Sequence, residues 1–179
     1  MVPALLLSLA ACGTSTQTNA QTPRGSGTSN GPANLSSSSP PFRSTAVATF
    51  DEPWALAFLP GSSTAVVTEK PGHLWLVDVA SGRKQAVDGA PRVAYGGQGG
   101  LLDVVAASDF GTSALIYLTY SEPSANGGSE LAMARAKLVR DASGARLGGL
   151  QVLWRDPAGG QGGQFGAIIA FAPTASRCS

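Results

Sequence analysis

The sequence predicts an all-β chain, with a partial β-propeller favoured over a sandwich or a barrel. Three observations carry this. Charged residues make up only 13% of the 179 residues, aromatics 7%, and Gly numbers 23. About a quarter charged is usual, so the balance favours strands and tight turns over helices. Short apolar runs of strand length recur between turn signals. An imprecise internal repeat links these runs. Residues 54–58 (WALAF) precede a turn and residues 65–68 (AVVT). Residues 100–104 (GLLDV) precede a turn and residues 115–119 (LIYLT). Residues 166–171 (GAIIAF) open a third copy. The spacing is about 45–65 residues, at or above the blade lengths common in propellers. A closed ring takes about 4–8 blades. This chain holds roughly two and the start of a third, so the expectation is a fragment of a ring.

Taken in order, residues 1–12 read as an export signal. Residues 2–11 (VPALLLSLAA) are apolar and too short to span a bilayer, which takes about 20 residues. They end in Leu9-Ala10-Ala11-Cys12, which resembles the lipobox of bacterial lipoproteins, where the Cys becomes the lipidated N-terminus. No Lys or Arg precedes the run, and an ordinary secretion signal is the other reading. Residues 13–43 form a Ser/Thr/Gly/Pro-rich stretch that cannot bury apolar surface, the composition of a disordered tether. The expected location is outside the cytoplasm: periplasmic, or anchored to a membrane through Cys12.

The propeller-like body is expected over residues 44–173. Its candidate strands are 45–50, 54–59, 65–69, 74–79, 101–106, 115–120, 131–138 and 151–154. Leu59-Pro60-Gly61, Lys70-Pro71-Gly72, Ala80-Ser81-Gly82, Asn126-Gly127-Gly128 and Ala142-Ser143-Gly144 are the turn signals between them. Residues 131–138 (LAMARAKL) also carry helix formers and are the weakest assignment. Residues 165–173 look like a further strand, with an unprotected edge. Residues 174–179 read as an unrelated tail where the body breaks off, and Cys178 there as an accidental thiol.

Composition also excludes. A net charge of +1 gives no electrostatic case for nucleic acid. Two Cys and one His cannot make a four-ligand zinc site without carboxylates. One disulfide at most is available, Cys12 with Cys178, and it competes with lipidation.

Three segments resemble one family. The first runs from Phe50-Asp51-Glu52-Pro53-Trp54 to Pro60 and on through Val67-Thr68-Glu69-Lys70-Pro71-Gly72. The second is Tyr95-Gly96-Gly97-Gln98-Gly99-Gly100-Leu101-Leu102-Asp103-Val104, followed by Asp109-Phe110 and residues 116–120. The third is Gly162-Gly163-Gln164-Phe165-Gly166 with Phe171-Ala172-Pro173. Together they resemble the N-terminal part of the pyrroloquinoline-quinone (PQQ)-dependent sugar dehydrogenases, the glucose/sorbosone or aldose sugar dehydrogenase family. The resemblance implies a six-bladed β-propeller in the periplasm that oxidises the anomeric hydroxyl of an aldose sugar and passes a hydride to PQQ. It also implies calcium ions that hold the cofactor and the fold.

Carried over residue by residue, Gln98 falls in the glycine-rich loop where the family places a polar side chain near the quinone. The family's base His is replaced by Gln164, and an amide has no proton-accepting state near neutral pH. The family's quinone-binding Arg is replaced by Ile168, which cannot pair with a carboxylate. The chain alone is therefore expected to be inactive. A lipid-tethered, non-catalytic module that binds a sugar or a partner is the alternative. The other residues weighed read as structural. His73 is expected as a solvated strand-edge residue with no carboxylate nearby. Asp103 and Asp109 are expected in turns or caps. Trp54, Trp75 and Trp154 are expected in blade cores or between blades.

Overall fold

Two four-stranded antiparallel meanders follow one another in the computed structural model, which describes residues 42–125, 127–156 and 165–172. Both lie in one of the chain's two compact units, Ser44–Ser179. The first meander comprises β1 (Pro53–Phe58), β2 (Thr64–Glu69), β3 (His73–Asp78) and β4 (Lys84–Asp88). The second comprises β5 (Leu101–Ala106), β6 (Leu115–Pro123), β7 (Ser129–Asp141) and β8 (Gly144–Arg155). A one-turn helix, α1 (Phe110–Ser113), sits between β5 and β6. A short parallel pairing joins the outer strands, Val87 with Ala145 and Asp88 with Arg146, so the sheet order is β1-β2-β3-β4-β8-β7-β6-β5. β5 also packs against β1 and β2, which nearly closes the sheet on itself. This is the expected all-β, propeller-like plan, and each meander corresponds to one blade.

Local sequence explains the hairpins. Lys70-Pro71-Gly72 turns β2 into β3, with Gly72 at φ +109° and its N–H bonded to the Glu69 carbonyl at 2.9 Å. That φ is open to Gly at little cost. In the β7–β8 hairpin the Asp141 carboxylate accepts from the Ser143 N–H at 2.9 Å, an Asx-type turn. The core is aliphatic and lies between the meanders: Val66, Leu74, Leu76, Leu101, Val104, Ile116, Leu118 and Tyr120, faced by Ala132, Ala134 and Ala136 of β7. Each fully buried aliphatic side chain here stabilises the fold by about 1.5–3 kcal/mol.

A repeated hydroxyl bridge joins one blade to the next. In the first blade, Thr68 of β2 accepts the Ala55 N–H at 3.0 Å and donates to the Leu102 carbonyl of β5 at 2.7 Å. In the second, Thr119 of β6 accepts the Asp103 N–H at 3.0 Å and donates to the Ala167 carbonyl at 2.8 Å. Residues 165–172 thus lie against the second blade as β5 lies against the first. The same matching pairs Trp54 and Leu56 of β1 with Leu102 and Val104 of β5. Leu102 and Val104 are 0% and 1% exposed under the first blade, whereas Trp54 and Leu56 are 41% and 55% exposed.

Several expectations need correction. Residues 45–50 form no ladder. Side chains hold them instead: Lys84 Nζ donates to the Thr49 carbonyl at 2.8 Å and stands 4.2 Å from the ring centres of both Phe50 and Trp75. Residues 165–172 are likewise irregular. They are tied down by Thr119, by Ile169 N–H donating to Asp103 at 2.6 Å, and by an edge contact of Phe171 on Tyr117. β4 and α1 were not anticipated. Residues 131–138 are strand, as expected, within β7, which pairs on both edges. Trp54 and Trp154 lie exposed rather than in the core; Trp154 is 48% exposed. Asp103 lies within β5 and binds Ile169, so it is neither turn nor cap. Asp109 does lie in a turn at the N-cap position of α1, as expected, though its side chain makes no capping bond. Cys12, Gln164 and Cys178 lie outside the described residues, as do the signal segment, all of the tether up to residue 41 and the tail.

Candidate functional site

The run Tyr95-Gly96-Gly97-Gln98-Gly99-Gly100 lies between β4 and β5 and folds into a tight turn. Gly96 and Gly99 pair across it, with Gly99 N–H to Gly96 O at 2.8 Å and Gly96 N–H to Gly99 O at 3.3 Å. Gly97 takes φ +54°, which suits the first central position of a two-residue hairpin and favours Gly. Gln98 is the other central residue. It is exposed, and its amide takes no hydrogen bond among the described residues.

The base of the turn is rigid. Ser121 of β6, fully buried, accepts the Gly100 N–H at 2.7 Å and donates to the Ala94 carbonyl at 2.8 Å. Leu101 N–H donates to the Lys70 carbonyl at 3.0 Å. A Cβ at Gly99 would stand 2.7 Å from the Ser121 hydroxyl, and one at Gly100 only 2.2 Å from the Lys70 carbonyl oxygen, so no larger residue fits either place. The tip is open instead: a Cβ at Gly96 or Gly97 would meet nothing within 4 Å.

A charged cluster flanks the tip. Lys70 Nζ donates to the Gly97 carbonyl at 2.6 Å and to Glu52 at 3.2 Å, and lies 5.8 Å from the Tyr95 ring centre. The Tyr95 hydroxyl donates to the other Glu52 oxygen. The Tyr95 hydrogen bond first, and then Lys70, hold the Glu52 carboxyl below its ordinary pKa. The same bond to Glu52 raises that of the Tyr95 hydroxyl. Glu52 itself has φ +45°, rare for a side chain of this kind.

Behind this cluster sits Glu69, almost fully buried. It accepts the Asp51 N–H at 2.7 Å and faces His73 Nδ1 at 3.0 Å, with Lys84 Nζ at 3.8 Å. Burial pushes its pKa up, but the Trp75 indole, the Asp51 amide, His73 and Lys84 outweigh it and leave the carboxyl below the ordinary range. The Trp75 indole nitrogen is buried and reaches no partner at normal hydrogen-bond geometry. His73 stands exposed at the start of β3, as expected, but Glu69 lies directly across from it, so the expectation of no nearby carboxylate was wrong.

Gln98 is therefore where the sequence placed it, in an open glycine turn. Glu52, Lys70 and Tyr95 were not singled out. Their signal was present in the sequence: a Glu before Pro53, a Lys in the Pro-Gly turn and a Tyr at the mouth of the glycine run. Ile168 is 90% exposed and offers no charge. Among the described residues no group of three or more His, Cys, Asp or Glu could hold a metal ion.

Comparison with known proteins identifies the family. The family model described as Glucose / Sorbosone dehydrogenase matches residues 50–176. The aldose sugar dehydrogenase YliI of Escherichia coli (strain K12) is 37% identical over 122 residues, 68% of this chain and 32% of YliI. A solved glucose dehydrogenase superposes with a TM-score of 0.58 at 36% identity, covering 63% of this chain and 35% of that one. The PQQ-bound aldose sugar dehydrogenase from Streptomyces coelicolor superposes with a TM-score of 0.51 at 26% identity, covering 62% of this chain and 32% of that one. The chain thus spans about a third of the length of these relatives, and it belongs to the glucose/sorbosone dehydrogenase family.

Proposed function

We propose that this chain supplies two blades and part of the cofactor contact of a PQQ-dependent sugar dehydrogenase that oxidises the anomeric hydroxyl of an aldose. The observation that carries this is the open Gly97–Gln98 turn with Lys70 beside it. The quinone carries carbonyl and carboxylate oxygens. The Gln98 amide can donate to a carbonyl oxygen, and a neighbouring ammonium favours an anion. Its backbone leaves the tip clear for a flat ligand. When bound, the quinone supplies the two-electron acceptor. This chain's share is to hold and orient it.

The proton step is where the chain falls short. Gln164 cannot take a proton near neutral pH, and Ile168 cannot pair with a carboxylate. The chain by itself therefore binds without oxidising. For calcium, implied by the family, the described residues offer no group of three or more carboxylate, His or Cys side chains. Replacement of the family's His and Arg by Gln164 and Ile168 also supports a second reading, a lipid-tethered, non-catalytic module that binds a sugar or a partner. We place the protein in the periplasm, anchored through a lipid on Cys12.

Titration of the full chain with PQQ, followed by tryptophan fluorescence, tests the first reading. Gln98→Ala is expected to weaken binding up to about tenfold, the upper worth of one neutral hydrogen bond. Absence of any quinone binding by the wild-type chain would refute it. Calorimetric binding of an aldose without quinone would favour the second reading. Radiolabelled palmitate incorporation, lost in Cys12→Ala, tests the anchor.

A further inference from the structure

The Gly97–Gln98 tip is attached at one point. Its base is fixed by Ser121 and by the close fit of Gly99 and Gly100, but beyond Gly96 there is open space on each side. Among the described residues, the polar link from the tip to the rest of the fold is the Gly97 carbonyl accepting from Lys70 Nζ at 2.6 Å.

A lysine ammonium on a four-carbon stem is a poor clamp by default, since it samples many rotamers and prefers water. Here three features remove that freedom. Glu52 takes a second N–H of the ammonium at 3.2 Å. The Tyr95 ring lies beneath it, and the Tyr95 hydroxyl fixes the other oxygen of Glu52. The Glu52 backbone accepts the Lys70 N–H at 3.0 Å, so both ends of the pair are registered on each other. Glu52 holds this place at φ +45°, a conformation that surrounding structure must enforce and that tends to cluster where a side chain is being aimed.

We propose that Lys70 is a positioning residue. Held by Glu52 and Tyr95, its ammonium fixes the Gly97 carbonyl and so sets the direction in which the Gln98 amide is presented to the quinone. This rests on the quinone-binding reading of the turn. The role is separable from folding. The Lys70 carbonyl, not its ammonium, receives Leu101 N–H and abuts Gly100, and a Met side chain at this position keeps that backbone.

The test uses the full chain with Lys70→Met, Lys70→Arg and Glu52→Gln. Two readouts are needed: hydrogen–deuterium exchange of the peptide covering residues 95–101, and the dissociation constant for PQQ by fluorescence titration. Lys70→Met is expected to speed exchange at Gly96 and Gly99, whose N–H groups pair across the turn, about tenfold, the loss of one charge-assisted bond. The peptide covering residues 115–120 is expected not to change. PQQ binding is expected to weaken about tenfold in Lys70→Met. Lys70→Arg is expected to restore both within about threefold, because a guanidinium can still bridge a carbonyl and a carboxylate. Glu52→Gln is expected to fall between. Unchanged exchange in Lys70→Met overturns the proposal, and so does faster exchange with unchanged PQQ affinity. If the wild-type chain binds no PQQ, the dehydrogenase reading fails on its own, and the proposed presentation of Gln98 to the quinone fails with it. The exchange comparison then shows whether the clamp itself exists.

Discussion

Replacing Thr68 by Val keeps the shape of the side chain and removes its hydroxyl. That hydroxyl accepts the Ala55 N–H at 3.0 Å and donates to the Leu102 carbonyl at 2.7 Å, and Thr68 and Leu102 are both 0% exposed, so the carbonyl end of the bridge is closed to water. The added methyl gains about 0.8 kcal/mol of apolar burial. Against it stand one amide and one carbonyl left unpaired between the blades, each costing about 1–3 kcal/mol. The net loss is about 1–5 kcal/mol, a large share of the roughly 5–15 kcal/mol that holds a typical domain. Thr68→Ser keeps the hydroxyl and loses a methyl, costing about 1 kcal/mol. Urea unfolding of the full chain, followed by tryptophan fluorescence, should rank wild type above Thr68→Ser and Thr68→Ser above Thr68→Val. A Thr68→Val midpoint equal to or above that of Thr68→Ser would refute the idea that this hydroxyl bridges the blades.

Other outcomes follow from the same geometry. Gly100→Ala sets a Cβ 2.2 Å from a backbone oxygen that cannot step aside, so a loss of about 3 kcal/mol or more is expected, read as a lowered melting temperature and earlier proteolytic cleavage near residue 100. Ala114 closes α1 at φ +54°; Ala114→Gly should gain about 0.5–1 kcal/mol, strain relieved less the added entropy of the unfolded chain, read as a higher urea midpoint. Glu52, Glu69 and Asp141 all have lowered pKa values in the fold, so the unfolded chain binds protons more readily as the pH falls. Their stabilisation is full above the ordinary glutamate value of 4.5 and drains as the pH drops through the lowered values. Melting temperatures measured between about pH 6 and pH 3 should fall, with a shallower slope in Glu69→Gln.

The fold class was legible because the strands that build the core are apolar and end at Gly or Pro turns. β1, β2, β3, β5 and β6 appear within a residue or two of their expected limits at most ends. β4 was hidden because Lys84-Gln85-Ala86-Val87-Asp88 buries only Val87, so its pattern is that of a loop. Residues 45–50 alternate like a strand, but Gly82, with its Cβ position 2.4 Å from the Val47 carbonyl, and the Lys84 ammonium capture them by contacts that no local pattern encodes. β7 resembled a helix in its Leu, Ala, Met and Lys content, and pairing on both edges overrode that propensity. In the site, Gln98 was readable because its glycines force a turn. The meeting of Glu52, Lys70 and Tyr95 was not, since the Lys70–Gly97 link spans 27 positions and the Glu52–Tyr95 link 43.

The Thr68 and Thr119 bridges end on carbonyl oxygens of the backbone. A carbonyl is supplied by whichever residue stands there: Leu102 in one case, Ala167 in the other. The angle between neighbouring blades is thus insulated from drift in the accepting side chain, and only the donor must stay a hydroxyl. A gene segment coding for one such meander carries its own rivet and finds its socket in any strand laid beside it. That is a physical route by which tandem duplication yields an ordered fan before the copies have had time to specialise.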